Sequence, residues 1–196
     1  MPGPKTEYLK GGEAEDMSKV LIITTSLRTG SNSDLLAAKA AEGARAAGHE
    51  VEVISLKGKT IGFCKGCFAC QKTLKCLIRD DAAEIAEKVK EADTLVFATP
   101  IYYYEMSGQM KTLLDRLNPL YPSDYKFRNV YMLSTAAEDE DLVCERAVSG
   151  LNGWVDCFEK AKFSGSLFCG GINDMGEAAG KEEELREAYD FGKALA

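Results

Sequence analysis

The sequence predicts an α/β protein, a three-layer α/β/α sandwich on a five-stranded parallel sheet, and three observations support this fold class. First, short β-branched runs alternate with longer amphipathic segments from Lys19 onward, as in successive βαβ units. Second, the runs are almost continuously apolar, which is typical of strands that helices cover on both faces. Third, no repeat or linker interrupts residues 19–196, so a single domain is expected there. Right-handed crossovers then favour the strand order 2-1-3-4-5.

The predicted elements follow in chain order. Strands are predicted at 19–25, 51–56, 94–100, 129–135 and 164–170. Helices are predicted at 33–47, 81–92, 107–117, 141–162 and 181–195. Asp80 or Asp81 suits the cap of the second helix because a carboxylate accepts hydrogen bonds from the first turn. Cys144 falls on the apolar stripe of the fourth helix, and we assign Cys144, Cys157 and Cys169 to the core.

The composition narrows the function classes. A net charge of -7 argues against nucleic acid, whose phosphates need a basic partner surface. No apolar run approaches the roughly 20 residues that span a bilayer, so no membrane role is expected. Residues 1–18 lack the apolar region of a secretory signal, and we interpret them as a leader that is flexible or docks on another subunit. The expected location is the cytoplasm, where clustered cysteines favour metal or redox chemistry over disulfides.

The loop after the first predicted strand carries groups that bind anions. Hydroxyls, a guanidinium and an amide are supplied by Ser26, Arg28, Ser31, Asn32 and Ser33. Such donors at a helix N-terminus, where the helix dipole is positive, suit a phosphate. The loop has neither the G-x-G-x-x-G nor the G-x-x-x-x-G-K pattern, so a monophosphate fits better than a dinucleotide or a nucleoside triphosphate. A plain turn with a helix cap is the alternative interpretation.

The loop after the third predicted strand is aromatic. It reads T-P-I-Y-Y-Y-E-M-S-G-Q-M-K over residues 99–111. Three consecutive tyrosines at the carboxyl edge of a sheet, followed by a helix start, offer flat walls and backbone donors to a planar ring. Packing against a neighbouring subunit is the alternative, since aromatic residues are enriched at interfaces.

Taken together, the two loops resemble those of the flavodoxin-like family of FMN-dependent NAD(P)H oxidoreductases. The motifs are S-L-R-x-G-S-N-S after the first strand and T-P-I-Y-Y-Y-E-M-S-G-Q-M-K-T-L-L-D-R after the third. The cysteine-rich segment between them resembles the iron–sulfur flavoprotein branch. The resemblance implies a flavodoxin-like domain over residues 19–196, with FMN as cofactor and NAD(P)H as a transient substrate. It also implies a small electron acceptor, such as a quinone or free flavin, and a dimer or tetramer with the flavin at a subunit boundary.

The resemblance carries over site residues as well. For the FMN phosphate it implies Ser26, Arg28, Ser31, Asn32 and Ser33. For the isoalloxazine it implies Pro100, Ile101, Tyr102, Tyr103 and Tyr104, with Ser134, Thr135 and Ala136 at the other border of the ring.

Four of the seven cysteines form a C-x2-C-x2-C-x5-C segment, namely Cys64, Cys67, Cys70 and Cys76. Four thiolates can bind a [4Fe–4S] cluster, although the last gap is longer than in bacterial ferredoxin runs and the proline is absent. The same segment can instead be metal-free packing near the flavin or a subunit contact. Structural zinc is a third interpretation, but it more often uses two separated C-x2-C pairs. The spacing leaves these interpretations open.

Side-chain acid–base chemistry has few candidates. His49, the only histidine, precedes the second strand on the side opposite the ligand crevice, so neither a Ser-His-Asp triad nor a histidine metal site is expected. Asp115 and Arg116 are assigned to the surface of their helix. Three hypotheses follow: an FMN-dependent NAD(P)H oxidoreductase, an iron–sulfur flavoprotein that carries electrons, and a flavin-binding module without turnover.

Overall fold

The computed structural model describes residues 17–195, so residues 1–16 of the predicted leader, which spans residues 1–18, lie outside the described part. The strands are β1 (Lys19–Thr24), β2 (Glu50–Ser55), β3 (Thr94–Tyr102), β4 (Glu105–Met106), β5 (Asn129–Thr135) and β6 (Lys162–Cys169). The α-helices are α1 (Asn32–Ala46), α2 (Ala69–Thr73), α3 (Asp81–Glu91), α4 (Gly108–Arg116), α5 (Glu145–Val155) and α6 (Glu182–Lys193).

Five parallel strands form the sheet in the order β2-β1-β3-β5-β6. This is the predicted order, because β4 is a two-residue strand that pairs only with β3, antiparallel, beyond the sheet proper. The carboxyl ends of the five strands therefore share one edge. The topology reverses direction between β1 and β3, which is where ligands bind in open α/β sheets.

Two apolar layers enclose the sheet, one on each face. Alternate β1 residues divide between them: Val20 and Ile22 pack under α1 and α6, whereas Leu21 and Ile23 pack under α3, α4 and α5. Strand side chains alternate in direction, so only a sheet covered on both faces makes every position apolar. Burial on both faces of the sheet therefore explains the continuous apolar runs of the sequence.

Glycines bring α1 and α6 into backbone contact. A Cβ at Gly43 would overlap the carbonyl oxygen of Tyr189, and a Cβ at Gly192 would overlap that of Ala40. The two helices can approach this closely only because both positions lack a side chain. The contact fixes α6 on α1, whose first residues follow the predicted phosphate loop.

The predicted helix over 141–162 is wrong in its length. A 3₁₀ turn at Asp141–Val143 precedes α5, and the chain leaves α5 at Val155 to begin β6 at Lys162. Cys144 is buried as predicted, but Cys157 is exposed because it lies beyond the end of α5. Cys169 is buried, and its burial raises the pKa of the thiol to about 12.

Two polar residues are more buried than the sequence indicated. His49 precedes β2 at the amino end of the strands, opposite the carboxyl edge, but it is buried and its Nδ1 accepts a hydrogen bond from the Ser18 N–H at 3.3 Å. The assignment of Arg116 to a helix surface is wrong, since its side chain is fully buried and paired with Asp80. Asp115 does lie on the surface, where it pairs with Lys111.

Candidate functional site

Buried hydroxyls fasten the loops after β1 and β3 to each other. The Thr25 hydroxyl donates to the carbonyl of Ala98 at 3.1 Å and shares a 3.0 Å hydrogen bond with the Ser107 hydroxyl. The Ser107 N–H in turn donates to the Thr99 hydroxyl at 3.1 Å. All of these groups are buried, so the two loops are joined by hydrogen bonds that are shielded from water. Sequence reasoning missed these residues, although polar side chains at the ends of two apolar strands were the available signal.

The first loop places hydroxyls at the start of α1. Ser31 is the N-cap and accepts a hydrogen bond from the Asp34 N–H at 3.1 Å, while its hydroxyl lies 3.4 Å from that of Ser33. The Ser26 hydroxyl accepts from the Arg28 N–H at 3.3 Å. Gly30, at φ +63°, supplies the left-handed residue that turns the chain into the helix. The arrangement suits an anion because the first N–H groups of a helix have no intrahelical partner.

Asn32 has a structural use that the sequence did not indicate. Its Nδ2 donates to the carbonyl of Asp174 at 2.9 Å, and its Oδ1 accepts from the Ala178 N–H at 3.1 Å. The side chain is thereby joined to the segment that follows β6, while its second Nδ2 N–H and its backbone N–H are not used in these two bonds. The predicted phosphate role of Asn32 stays a prediction.

The segment after β6 borders the phosphate loop. Arg28, which is exposed, donates from Nη1 to the carbonyl of Asn173 at 3.2 Å. The Glu177 carboxylate accepts from the N–H groups of Asn173 and Asp174, both at 2.9 Å, and these bonds hold the pKa of Glu177 below its usual range. No motif in the sequence pointed to this segment.

The tyrosine loop is a strained hairpin. Tyr102 pairs with Glu105 across the β3–β4 turn, and the two residues between them, Tyr103 and Tyr104, have φ of 52° and 66°. Two left-handed central residues define a turn that normally carries Asn or Gly, so tyrosine is an unusual choice at both positions. The hairpin leaves Tyr103 97% exposed and Tyr102 48% exposed at the carboxyl edge. Pro100 and Ile101, at the base, are half-buried.

Tyr104 is held by charged neighbours. The Arg146 guanidinium carbon lies 5.9 Å from the centre of its ring, within the range of a cation–π contact. A hydrogen bond with Glu138 raises the pKa of the Tyr104 hydroxyl. Tyr104 therefore reaches toward α5 and the loop after β5, whereas Tyr102 and Tyr103 are exposed at the edge of the sheet.

The loop after β5 offers little side-chain surface. Ser134, Thr135 and Ala136 are 0%, 5% and 7% exposed. The Ala136 N–H donates to the carbonyl of Cys169 at 3.3 Å, which ties the loop to the end of β6. Any contact of this loop with a ring is limited to Thr135, Ala136 and the residues that follow them, since Ser134 has no open surface.

The four clustered cysteines line one cavity of about 380 Å³. Cys64 and Cys67 are exposed, Cys70 is buried on the short helix α2, and Cys76 is half-buried. Two sulfurs accept hydrogen bonds from fixed donors: Cys64 from the Gly66 N–H at 3.5 Å, and Cys70 from the Asn118 side chain at 3.3 Å. All seven cysteines are free thiols. Across residues 17–195, no three His, Cys, Asp or Glu side chains are close enough to hold a single metal ion.

A second cavity lies between the phosphate loop and the cysteine segment. It measures about 470 Å³ and is lined by Leu27 of the loop, Phe63 before the first cysteine, and Gly108 and Gln109 at the start of α4. Phe63 is 80% exposed. The two candidate sites are therefore neighbours on the same side of the molecule.

A parallel sheet with an anion-binding helix start and an aromatic hairpin at its switch point defines a flavodoxin-like, FMN-binding class of protein. The chain belongs to the NADPH-dependent FMN reductase family, which matches residues 18–151. The predictions of family, fold class and FMN cofactor are thereby confirmed, and the family is one of oxidoreductases.

Relatives with curated names point to the iron–sulfur branch. An iron-sulfur flavoprotein of Methanocaldococcus jannaschii is 41% identical over 102 residues, which are 52% of this chain and 53% of the relative. An iron-sulfur flavoprotein of Archaeoglobus fulgidus is 42% identical over 89 residues, 45% of this chain and 44% of the relative. The chain thus spans about half the length of the curated relatives it matches.

Solved structures agree on the fold. The NAD(P)H:quinone oxidoreductase from Methanothermobacter marburgensis superposes with a TM-score of 0.73 at 21% identity, over 91% of this chain and 96% of that one. At this identity the likeness shows the fold alone. Among the helices of residues 17–195, none combines the length and apolar composition needed to cross a bilayer.

Proposed function

We propose that this chain is an FMN-dependent NAD(P)H oxidoreductase that passes electrons to a small acceptor such as a quinone or free flavin. The observation that carries the proposal is the pair of loops at the β1/β3 switch point, one rich in anion donors and one aromatic, fastened by the Thr25–Ser107 hydrogen bond. FMN, when bound, takes two electrons from the nicotinamide and passes them to the acceptor, so the protein supplies binding and orientation.

The chain's own groups divide this work. The hydroxyls of Ser31 and Ser33, the first N–H groups of α1 and the Arg28 guanidinium hold the phosphate. Tyr102 and Tyr103 flank the ring and exclude water from one side. In this arrangement a side-chain acid or base is not required, which agrees with the position of His49 at the opposite edge of the sheet.

The test is an FMN titration of the purified chain, followed by anaerobic oxidation of NADH and of NADPH with benzoquinone as acceptor. Tight binding with turnover that depends on the quinone supports the proposal. Binding of FMN without turnover supports the flavin-binding module instead. Failure to bind FMN overturns both hypotheses.

The cysteine cavity favours a second function, that of an iron–sulfur flavoprotein that carries single electrons. Four thiols around one cavity, with N–H donors aimed at two sulfurs, are the donor set and the surroundings of an iron–sulfur cluster. Structural zinc more often uses two separated C-x2-C pairs than this compact spacing. A bound cluster supplies a one-electron centre beside the flavin.

Anaerobic purification with quantitation of iron, acid-labile sulfide and FMN tests the second function. About four irons per chain, the content of one [4Fe–4S] cluster, support it. Flavin without iron, even after reconstitution with ferrous iron and sulfide, assigns the cysteines to metal-free packing or redox chemistry.

A homo-oligomer in the cytoplasm is part of the proposal. Phe63, Phe68 and Tyr103 are 80%, 61% and 97% exposed, and large apolar side chains of this kind suit contact with a second copy. Analytical ultracentrifugation of the FMN-bound protein distinguishes a dimer or tetramer from a monomer.

A further inference from the structure

Arg116 is the largest fully buried side chain among residues 17–195. It is the last residue of α4, and its guanidinium points under the cysteine segment rather than to solvent. Arginine is rarely buried without a dedicated set of partners, because an unpaired charge inside a protein is strongly destabilising. Its partners therefore indicate what the charge is for.

The guanidinium joins the two ends of the cysteine segment. Nη1 donates to the carbonyl of Gly62 at 2.7 Å, and Nη2 donates to the carbonyl of Ile78 at 3.3 Å. Gly62 stands two residues before Cys64, and Ile78 stands two residues after Cys76. One rigid, planar group thus fixes the distance between the entry and the exit of the segment.

Asp80 completes this arrangement, and we call the Arg116–Asp80 pair with its backbone partners the clamp. Its two carboxylate oxygens accept from Nη1 and Nη2 of Arg116 at 2.6 and 2.8 Å, and they also accept from the N–H groups of Gly62 at 2.8 Å and Ala82 at 3.2 Å. The hydrogen bond from Arg116 holds the pKa of Asp80 below its usual range, so the pair is ionised at neutral pH. The base of the segment is therefore rigid.

The same arginine also borders the cysteines. It lines the cavity that the four cysteines share, Cys76 among them. Its Nε is buried and has no hydrogen-bond partner among residues 17–195. Asn118, two residues further along in the turn after α4, donates to Cys70, so this turn supplies a donor to the cavity.

We propose that Arg116 is the positioning residue of the four-cysteine site: it holds the segment closed and places a fixed positive charge at the cavity that the four cysteines line, which favours a bound group with anionic sulfur ligands. The inference rests on the proposed iron–sulfur function for the nature of that group, but not for the closure of the segment. Donors and positive charge near ligand sulfurs tune both the retention and the reduction potential of such groups.

The first test is made on metal-free protein and does not need a cluster. Iodoacetamide labelling of the individual cysteines is followed by mass spectrometry in wild type, Arg116→Met and the control Arg79→Met, which removes an exposed arginine of the same segment. We expect Cys70 to react at least tenfold faster in Arg116→Met and at the wild-type rate in Arg79→Met. Equal rates in all three proteins would overturn the clamp.

The second test is made after anaerobic reconstitution with ferrous iron and sulfide. Arg116→Met is expected to lose iron to a chelator at least tenfold faster and to have a lower midpoint potential, because a nearby positive charge favours the reduced state. Arg116→Lys keeps the charge without the planar fork, so we expect a potential near that of wild type with faster iron loss. A midpoint potential in Arg116→Met equal to that of wild type would overturn the role of the charge.

A double variant covers the case in which Arg116→Met does not fold because Asp80 is left unpaired. Asp80→Asn/Arg116→Met removes both charges and keeps an oxygen to accept from Ala82. Faster labelling of Cys70 in the folded double variant supports the proposal, whereas wild-type labelling overturns it. If the wild-type protein binds FMN but no iron, the proposed cluster is refuted. The labelling test then decides by itself whether Arg116 holds the segment closed.

Discussion

At the scale of single residues, Tyr103 carries backbone strain without contributing packing. Its φ is 52° and its side chain is 97% exposed. Asparagine adopts the left-handed region more readily, so we predict that Tyr103→Asn raises the free energy of unfolding of the FMN-free protein by about 0.5–1 kcal/mol. The same variant should bind FMN more weakly because a wall of the ring site is lost. Urea unfolding and an FMN titration measure the two effects.

Tyr102→Asn is the matched control for that variant. Tyr102 lies in β3 and is also exposed, but its backbone is that of an ordinary strand, where asparagine is disfavoured. It should lower the free energy of unfolding slightly. A Tyr103→Asn protein that is no more stable than Tyr102→Asn would show that the hairpin is not strained.

Arg28 is predicted to contribute to phosphate binding. It is exposed and makes one hydrogen bond to the Asn173 carbonyl, so its loss should leave the fold intact. Arg28→Ala removes a charge-assisted bond to the phosphate at an exposed position. We therefore expect FMN affinity to fall about tenfold, or by about 1.4 kcal/mol. Arg45→Ala, near the other end of α1, is the control and should bind FMN like wild type. Isothermal titration calorimetry measures both, and equal affinities would remove Arg28 from the site.

Asp80 makes stability depend on pH. Its pKa is lowered in the folded protein, chiefly by the hydrogen bond from Arg116, so it stabilises the fold above the unfolded pKa near 4 and loses that contribution as pH falls through the lower folded value. We predict that unfolding free energy drops more steeply below about pH 4 in wild type than in Asp80→Asn. Denaturant unfolding at pH 6, 4 and 3 tests this, and parallel curves would contradict it.

At the scale of elements, the contact of α1 with α6 depends on glycine. Alanine normally favours a helix by about 1 kcal/mol over glycine, but a Cβ at Gly43 would overlap the Tyr189 backbone. We therefore predict that Gly43→Ala lowers the free energy of unfolding by about 2 kcal/mol or more. Gly153 in α5, where a Cβ would meet nothing within 4 Å, is the control. Gly153→Ala should stabilise the protein, and a stabilised Gly43→Ala would contradict the overlap.

The sequence predicted most elements because burial on both faces of the sheet leaves a continuous apolar signature. It failed over 141–162, where an amphipathic stripe that includes Cys144 continues past the point at which α5 ends. Apolar spacing does not record where a chain turns from a helix into a strand, since the residues at 156–161 serve that turn rather than another helical turn. Cys157 was misplaced for the same reason.

The loops of the candidate site were predictable from the sequence, but the long-range contacts around them were not. Hydroxyls and tyrosines at strand ends are visible in the sequence, and the structure gathers them at one edge. The commitment of Asn32 to Asp174 and Ala178, and the pairing of Arg116 with Asp80, join residues at least 36 positions apart. Such contacts arise from tertiary packing and leave no local pattern.

At the scale of the whole molecule, FMN should act as a stabilising ligand because its site joins loops from both halves of the sheet. A ligand that binds only the folded state at 100 times its dissociation constant adds about 2.7 kcal/mol. We predict that the thermal midpoint rises with FMN concentration and that Arg28→Ala needs about ten times more FMN for the same rise. Differential scanning fluorimetry measures the midpoint, and a midpoint that does not respond to FMN would contradict the site.

The glycine contact between α1 and α6 also bears on biosynthesis. Helix α1, which ends at Ala46, leaves the ribosome before α6, the helix that covers its apolar face and ends at Lys193. Since chains emerge at about 5–20 residues per second, that face waits on the order of ten seconds for its partner. During this interval the nascent protein exposes an alanine-rich surface to chaperones, and a translational pause after α1 would lengthen the exposure.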